Sequence, residues 1–168
     1  LKISLFVPPL PEQKKVAKIL TGIDRAIAIY EKQVAILANL LDALMQEKIV
    51  MNTSAARIKI GDVCVAQAGG TPDRSQKEYY IGKIPWVKSG EVRGDDIFDA
   101  DELISEEAVA SSSAKIVPSG SILVAMYGAT AGQTARLRID ATTNQAVLAL
   151  NSNARELSND YLYHSVTA

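Results

Sequence analysis

The sequence predicts an α+β chain, with one long coiled-coil helix followed by a mixed, mainly β domain. Three observations carry this expectation. Apolar residues recur at heptad spacing through the first third of the chain, short alternating runs replace them afterwards, and turn residues punctuate those runs.

The helix comes first. The stretch "VPPLPEQKKVAKIL", Val7 to Leu20, sets prolines directly ahead of helix-forming sequence. Pro11 suits a first turn, where N–H groups have no intrahelical acceptor, and Glu12 complements the positive end of the helix dipole. Apolar side chains then fall at Val16, Leu20, Ile23, Ile27, Tyr30, Val34, Leu37, Leu41 and Leu44. Steps of four and three alternate, giving the mean of about 3.5 residues that marks a coiled-coil seam. Gly22 is the interior weak point, worth roughly 1 kcal/mol against Ala. The run closes near Met51, ahead of "NTSAAR". A helix over 11–52, at about 1.5 Å per residue, is a rod of roughly 60 Å, more than packing on one small domain requires. A second helix is therefore expected against the seam, from another polypeptide or from sequence outside this chain. A lone helix lying across its own domain is the alternative.

From 53 to 168 the pattern changes. "RIKIGDVCVAQAGGTPDR", "KIPWVKSGEV", "GSILVAMYGATAGQTARLRI" and "TTNQAVLALN" read as strands and turns, broken at Gly69-Gly70, Thr71-Pro72, Ser89-Gly90, Ser119-Gly120 and Gly128. Two helical pieces interrupt them: "SEEAVASSS", with Ser105 as N-cap, and "LSNDYLYHSV", from near Ser158. The last helix meets no stop signal before Ala168, so this domain is expected to be C-terminally incomplete. At the other end, within 1–10, "LKISLFV" reads as a strand of a preceding domain, or of this domain closed in permuted order.

A chain of 168 residues suits one core plus an extension, and its 48% hydrophobic and 22% charged residues argue against disorder. With no apolar run of about 20 residues and no signal-peptide pattern, a cytoplasmic protein without membrane contact is expected. The lone Cys64 and lone His164 can form neither an internal disulfide nor a zinc cluster, and both read as packing residues. The net charge of -1 advertises no nucleic acid: residues 1–52 carry +2 and residues 53–168 carry -3. Any DNA contact must use a local basic patch, with other subunits supplying much of the phosphate neutralisation.

Catalytic signatures are missing. There is no G-x-S-x-G elbow, no paired His, no Cys–His arrangement and no adenine-methylating Asn-Pro-Pro-Tyr. Gly69-Gly70-Thr71 lacks the spacing and the Lys of a phosphate loop. Neither catalytic residues nor metal ligands are expected. What remains is a set of polar side chains on turns: Thr71, Arg74, Lys77, Lys88, Ser89, Arg93, Tyr127, Thr130, Gln133 and Arg136, with Arg138, Asn144 and Gln145 beside them. Arg and Lys grip phosphates and guanine edges, while Asn and Gln suit adenine. Each alone reads equally as a solvated turn residue; together they favour recognition over chemistry.

At this point the sequence resembles a known family. "PPLPEQKKVAKILTGIDRAI", Pro8 to Ile27, is similar to the spacer region of specificity subunits of type I restriction-modification systems. "IGDVCVAQAGGTPDRSQKEYYIGKIPWVKSGEV", "ISEEAVASSSAKIVPSGSILVAMYGATAGQTA" and "TTNQAVLAL" resemble a target recognition domain of that family, in the same order. The resemblance implies a non-catalytic subunit whose two recognition domains each read half of a split site in double-stranded DNA, held apart by antiparallel spacer helices. It implies methyltransferase subunits as partners, the restriction subunit as a further one, and S-adenosylmethionine, ATP and Mg on those partners with no cofactor here. The ruler helix becomes Pro11 to about Met51, and the 69–74 and 88–93 segments, with Tyr127, Thr130 and Gln133, become groove-facing. Trp86 and Asn144-Gln145 match positions the family commonly shows, and Trp86 is expected to anchor packing. One spacer helix and one domain stand where a full subunit has two of each. Either this is a fragment beginning at the last strand of a first recognition domain, or it is half of an assembly in which a second copy supplies the missing helix and the site read is palindromic. A coiled-coil adaptor whose globular part binds protein is the rival reading, and an enzyme acting alone comes third.

Overall fold

The computed structural model describes residues 6–50, 56–153, 155 and 157–167. The chain divides into two compact units, Leu1–Glu47 and Lys48–Ala168. The strand expected over "LKISLFV" lies outside the described residues except for Phe6 and Val7, which are not in a strand, and the helix end expected at Met51 also lies outside them.

The first unit is dominated by α1, Leu10–Met45, which is followed by a π-type turn over Gln46–Val50. The helix starts one residue before Pro11, with Pro9 as N-cap, so two prolines occupy positions where a missing N–H removes no intrahelical bond. The Gln13 side chain donates to the Pro8 carbonyl at 2.7 Å and ties the entry segment to the first turn. All nine seam residues are exposed, from 45% at Leu44 to 68% at Tyr30. A single helix in water leaves such a stripe unburied, and each of those side chains would contribute about 1.5–3 kcal/mol on full burial.

The second unit stacks four layers. Its large sheet is ordered β1 (Cys64–Ala68), β8 (Val147–Ser152), β5 (Ile122–Ala125), β6 (Thr134–Leu137), β3 (Asp96–Ile97). Its small sheet is ordered β4 (Glu102–Ile104), β2 (Ile84–Val87), β7 (Thr142–Thr143). Helix α4, Asn159–Thr167, lies on the outer face of the large sheet, and α3, Glu106–Ala110, lies on the outer side of the small one. The period-2 rule sorts β5: Leu123 and Ala125 join the core between the sheets, while Ile122 and Val124 pack toward α4. Both expected N-caps form, with the Ser105 hydroxyl accepting from Ala108 N–H at 3.2 Å and the Ser158 hydroxyl from Tyr161 N–H at 3.3 Å. "RIKIGDV" departs from the strand expected there. Ile60–Val63 forms a single helical turn, α2, and the strand begins only at Cys64. Burial raises the pKa of the half-buried Cys64 thiol, and the His164 ring packs edge-on against Tyr163.

Candidate nucleic-acid interface

Backbone hydrogen bonds gather four loops at one end of the two sheets. Gly69 N–H donates to Val147 O at 3.2 Å, Gly70 N–H to Thr143 O at 2.9 Å, and Asn144 N–H to Val87 O at 3.0 Å. Met126 N–H donates to Ala146 O at 2.8 Å, and Gly94 N–H to Thr134 O at 2.9 Å. The Thr130 hydroxyl adds a bond to Ser89 O at 2.7 Å. Segments 69–74, 88–94, 126–133 and 143–146 thereby form one surface, because antiparallel β1–β8 and β5–β8 pairing brings their connecting ends to the same side.

The 69–74 loop is held from below. The Trp86 indole N–H donates to Gly70 O at 2.9 Å, Tyr80 O–H donates to Pro72 O at 2.7 Å, and the Thr71 hydroxyl bonds the Gln145 side-chain oxygen. A Cβ on Gly69 would collide with the Thr143 carbonyl, and one on Gly70 with the Ala114 backbone. The glycine pair is thus a packing requirement, and the Trp86–Tyr80 edge-on pair beneath it, 5.8 Å between centroids, is the anchor. The Arg74 guanidinium lies 4.2 Å over the Tyr80 ring and 4.8 Å over Trp86, and Nη1 donates to Glu102 Oε2 at 2.7 Å. Lys88 Nζ reaches the other Glu102 oxygen at 2.9 Å. Hydrogen bonds from Arg74 and then Lys88 hold the Glu102 carboxyl below its usual range.

The neighbouring loops are organised differently. Lys88 N–H donates to Glu91 Oε1 at 2.9 Å, and Asp101 N–H to Glu91 Oε2 at 3.0 Å. Arg93 Nε donates to Gly90 O at 2.5 Å, and its guanidinium has no carboxylate partner among the described residues. Gly128 and Gly132 adopt φ of +93° and +83°, which lets the β5–β6 connection fold back and present Met126 and Tyr127, 42% and 50% exposed. Arg136 sits within β6, with Nε 2.7 Å from Asp96 Oδ1 and its guanidinium 4.8 Å over the Tyr163 ring; Arg138 Nε takes Asp96 Oδ2 at 2.7 Å. Burial pushes the Asp96 carboxyl up, but hydrogen bonds from Arg138 and Arg136 outweigh it and hold it below its usual range.

Thr71, Lys88, Ser89, Arg93, Tyr127, Thr130 and Gln133 therefore share one surface with Asn144 and Gln145. Arg74 belongs to the same loop, but its charge is turned into the Tyr80–Trp86–Glu102 cluster. Lys77 lies in the exposed turn Lys77–Tyr80, outside the four loops, and Arg136 and Arg138 are drawn to Asp96 on β3. Sequence reasoning missed Met126 and the acids Glu91, Asp96 and Glu102 that restrain the cations. The available signal was "DDIFDADE", whose acids have no other cations nearby in sequence. Arg93 can meet a phosphate, Gln133 and Gln145 can offer paired donor and acceptor groups to a base edge, and Tyr127 can stack. Among the described residues, no cluster of three or more His, Cys, Asp or Glu side chains is placed to hold a metal ion, and no helix is long and apolar enough to cross a membrane.

A long helix joined to a layered β domain with gathered loops is the architecture of restriction-modification specificity subunits. The crystal structure of the HsdS subunit from Thermoanaerobacter tengcongensis superposes with a TM-score of 0.61 at 17% identity, over 95% of this chain and 41% of that one. The family model for the type I restriction modification DNA specificity domain matches residues 55–168, and the chain belongs to that family. It is 28% identical over 111 residues to the specificity subunit of the type I restriction enzyme EcoR124I/EcoR124II from Escherichia coli, covering 64% of this chain and 27% of that subunit. It is 32% identical over 109 residues to the MjaIX specificity subunit from Methanocaldococcus jannaschii, covering 63% and 25%. The chain thus spans about a quarter of the length of those two relatives.

Proposed function

We propose that this chain reads DNA sequence without performing chemistry, as the specificity component, or half of one, of a type I restriction-modification assembly. The observation that carries the proposal is the convergence of the four loops, rigidly bonded to one another and lined by Arg93, Tyr127, Gln133 and Gln145. In this reading the surface meets one half of a two-part site in double-stranded DNA. The exposed seam of α1 takes a second spacer helix, and methyltransferase subunits, with the restriction subunit as a further partner, dock on the assembly. S-adenosylmethionine, ATP and Mg then belong to those partners, in the cytoplasm.

The test is fluorescence-anisotropy titration of the chain, with and without methyltransferase subunits, against a randomised duplex library and selected winners. Selective binding that depends on the partner subunits is expected. Indifference to sequence in both conditions sinks the reading. The adaptor reading draws on the apolar stripe of α1, and protein capture that ignores both DNA and salt would favour it.

A further inference from the structure

Strand β1 is the edge of the large sheet, bonded to β8 on one side only. Asn153 N–H donates to Val63 O and Gly69 N–H to Val147 O, so ladder bonds alternate through Val65 and Gln67, and the remaining groups face outward. Cys64 N–H is taken by Ile60 O, which leaves Cys64 C=O and the N–H and C=O of Ala66 and Ala68 as an open edge. Val65 beside it is 71% exposed. On the inter-sheet face, a cavity of about 140 Å³ is lined by Val65, Gln67, Val117, Ser121, Ala149 and Asn151. Two buried atoms there, Gln67 Nε2 and Ser121 Oγ, have no hydrogen-bond partner among the described residues. On the α4 face, a groove of about 430 Å³ is lined by apolar Ile58, Ile60, Val63, Leu162 and Val166 with Tyr161. An open ladder flanked by a polar cavity and an apolar groove fits one more strand, apolar on one face and polar on the other.

This chain carries such a strand sequence. In "LKISL" the apolar Leu1, Ile3 and Leu5 alternate with Lys2 and Ser4. Helix length and seam register say where a second copy would hold it. In an antiparallel pair with Val16 level with Leu41, Leu20 with Leu37, Ile23 with Val34 and Ile27 with Tyr30, every seam knob from 16 to 41 has a partner. Leu10 of one copy then lies level with Glu47 of the other, next to where the second unit begins at Lys48. We propose that two copies exchange strands: Leu1–Leu5 of one copy adds to the β1 edge of the other, with Leu1, Ile3 and Leu5 in the apolar groove and Ser4 toward Gln67 and Ser121. The proposal rests on the helix pairing in the functional reading above, with a second copy as the partner.

Cys64 is the chain's sole cysteine, so it reports on this contact without background. Single cysteines at Lys2, Ile3, Ser4 and Leu5 are introduced in turn, oxidised with copper phenanthroline, and run on non-reducing gels after the solution mass is measured. A covalent dimer strongest at one or two of the four positions, and abolished by Cys64→Ser, is expected. In hydrogen exchange, the Ala66 and Ala68 amides should slow about ten-fold or more in the dimer relative to the seam variant Leu20→Lys/Leu37→Lys. A dimer by mass with no cross-link at any position and fast Ala66 and Ala68 amides overturns strand exchange while leaving helix pairing intact. A cross-link within one chain overturns the second copy as donor. A monomer by mass overturns both the exchange and the helix pairing it rests on.

Discussion

Replacing Trp86 with Phe tests whether the 69–74 loop is held from beneath. Trp86 is 2% exposed and its indole N–H reaches Gly70 O at 2.9 Å, so Phe keeps a buried ring and deletes the donor. Leaving that carbonyl unpaired costs about 1–2 kcal/mol. The smaller ring forfeits on the order of 30 Å² of buried apolar area, close to 1 kcal/mol at about 25 cal/mol per Å². A loss of about 2–3 kcal/mol is expected in urea unfolding, as a lower midpoint at unchanged slope. Tyr80→Phe removes the bond to Pro72 O and should cost less, about 1 kcal/mol, since its ring stays in place. Both variants should lose discrimination between selected and scrambled duplexes more than they lose total binding, because the loop is displaced and no phosphate contact is deleted. A Trp86→Phe protein with wild-type midpoint and wild-type selectivity would refute the anchoring argument.

The remaining predictions concern the same surface. Arg93→Ala should weaken binding to all duplexes alike and shallow the salt dependence by about one phosphate contact, read as the slope of log affinity against log salt. Glu102→Gln should destabilise by about 1–2 kcal/mol at neutral pH, since it weakens the charge-assisted bonds from Arg74 and Lys88. The sign in pH follows from the lowered Glu102 pKa: its contribution is full above the unfolded value of about 4.3 and fades as pH falls through the lower folded value, so wild type and Glu102→Gln should converge in stability only below about pH 4. Gly69→Ala should be severe, by about 3 kcal/mol or more in midpoint-derived stability, because the new Cβ meets backbone that cannot rotate away.

The elements legible in the sequence were those with a local cause. The heptad steps from Val16 to Leu44 announced α1, and the hydroxyls of Ser105 and Ser158 announced two helix starts, because periodicity and caps act within a few residues. The single turn Ile60–Val63 escaped, since four residues are too few to show a period and "IKIGDV" alternates like a strand. The pairings between Arg74 and Glu102, 28 residues apart, and between Arg136 and Asp96, 40 apart, escaped for the opposite reason. They are set by β2–β4 and β3–β6 adjacency, which no local pattern encodes. Every cation named as DNA-facing was visible as a residue type, while its availability was decided by a remote carboxylate.

That restraint explains how a recognition unit of net -3 can serve the proposed role. Arg74, Lys88, Arg136 and Arg138 are each held by Glu102 or Asp96, so the four loops keep Arg93 as their cation without an acidic partner. A surface of this kind has little long-range pull on a duplex and depends on the fit of Gln133, Gln145, Tyr127 and their neighbours to base edges, which favours selectivity over raw affinity. The chain alone should therefore bind weakly, with a slope of log affinity against log salt between about -1 and -2, corresponding to one or two neutralised phosphates. Adding methyltransferase subunits should steepen that slope by several units, because they supply the neutralisation this surface lacks. A steep slope for the chain alone would mean that Glu102 and Asp96 release their cations to phosphate on binding. Glu102→Gln and Asp96→Asn would then leave the slope unchanged, whereas under the restraint argued here each should steepen it by about one or two phosphate contacts.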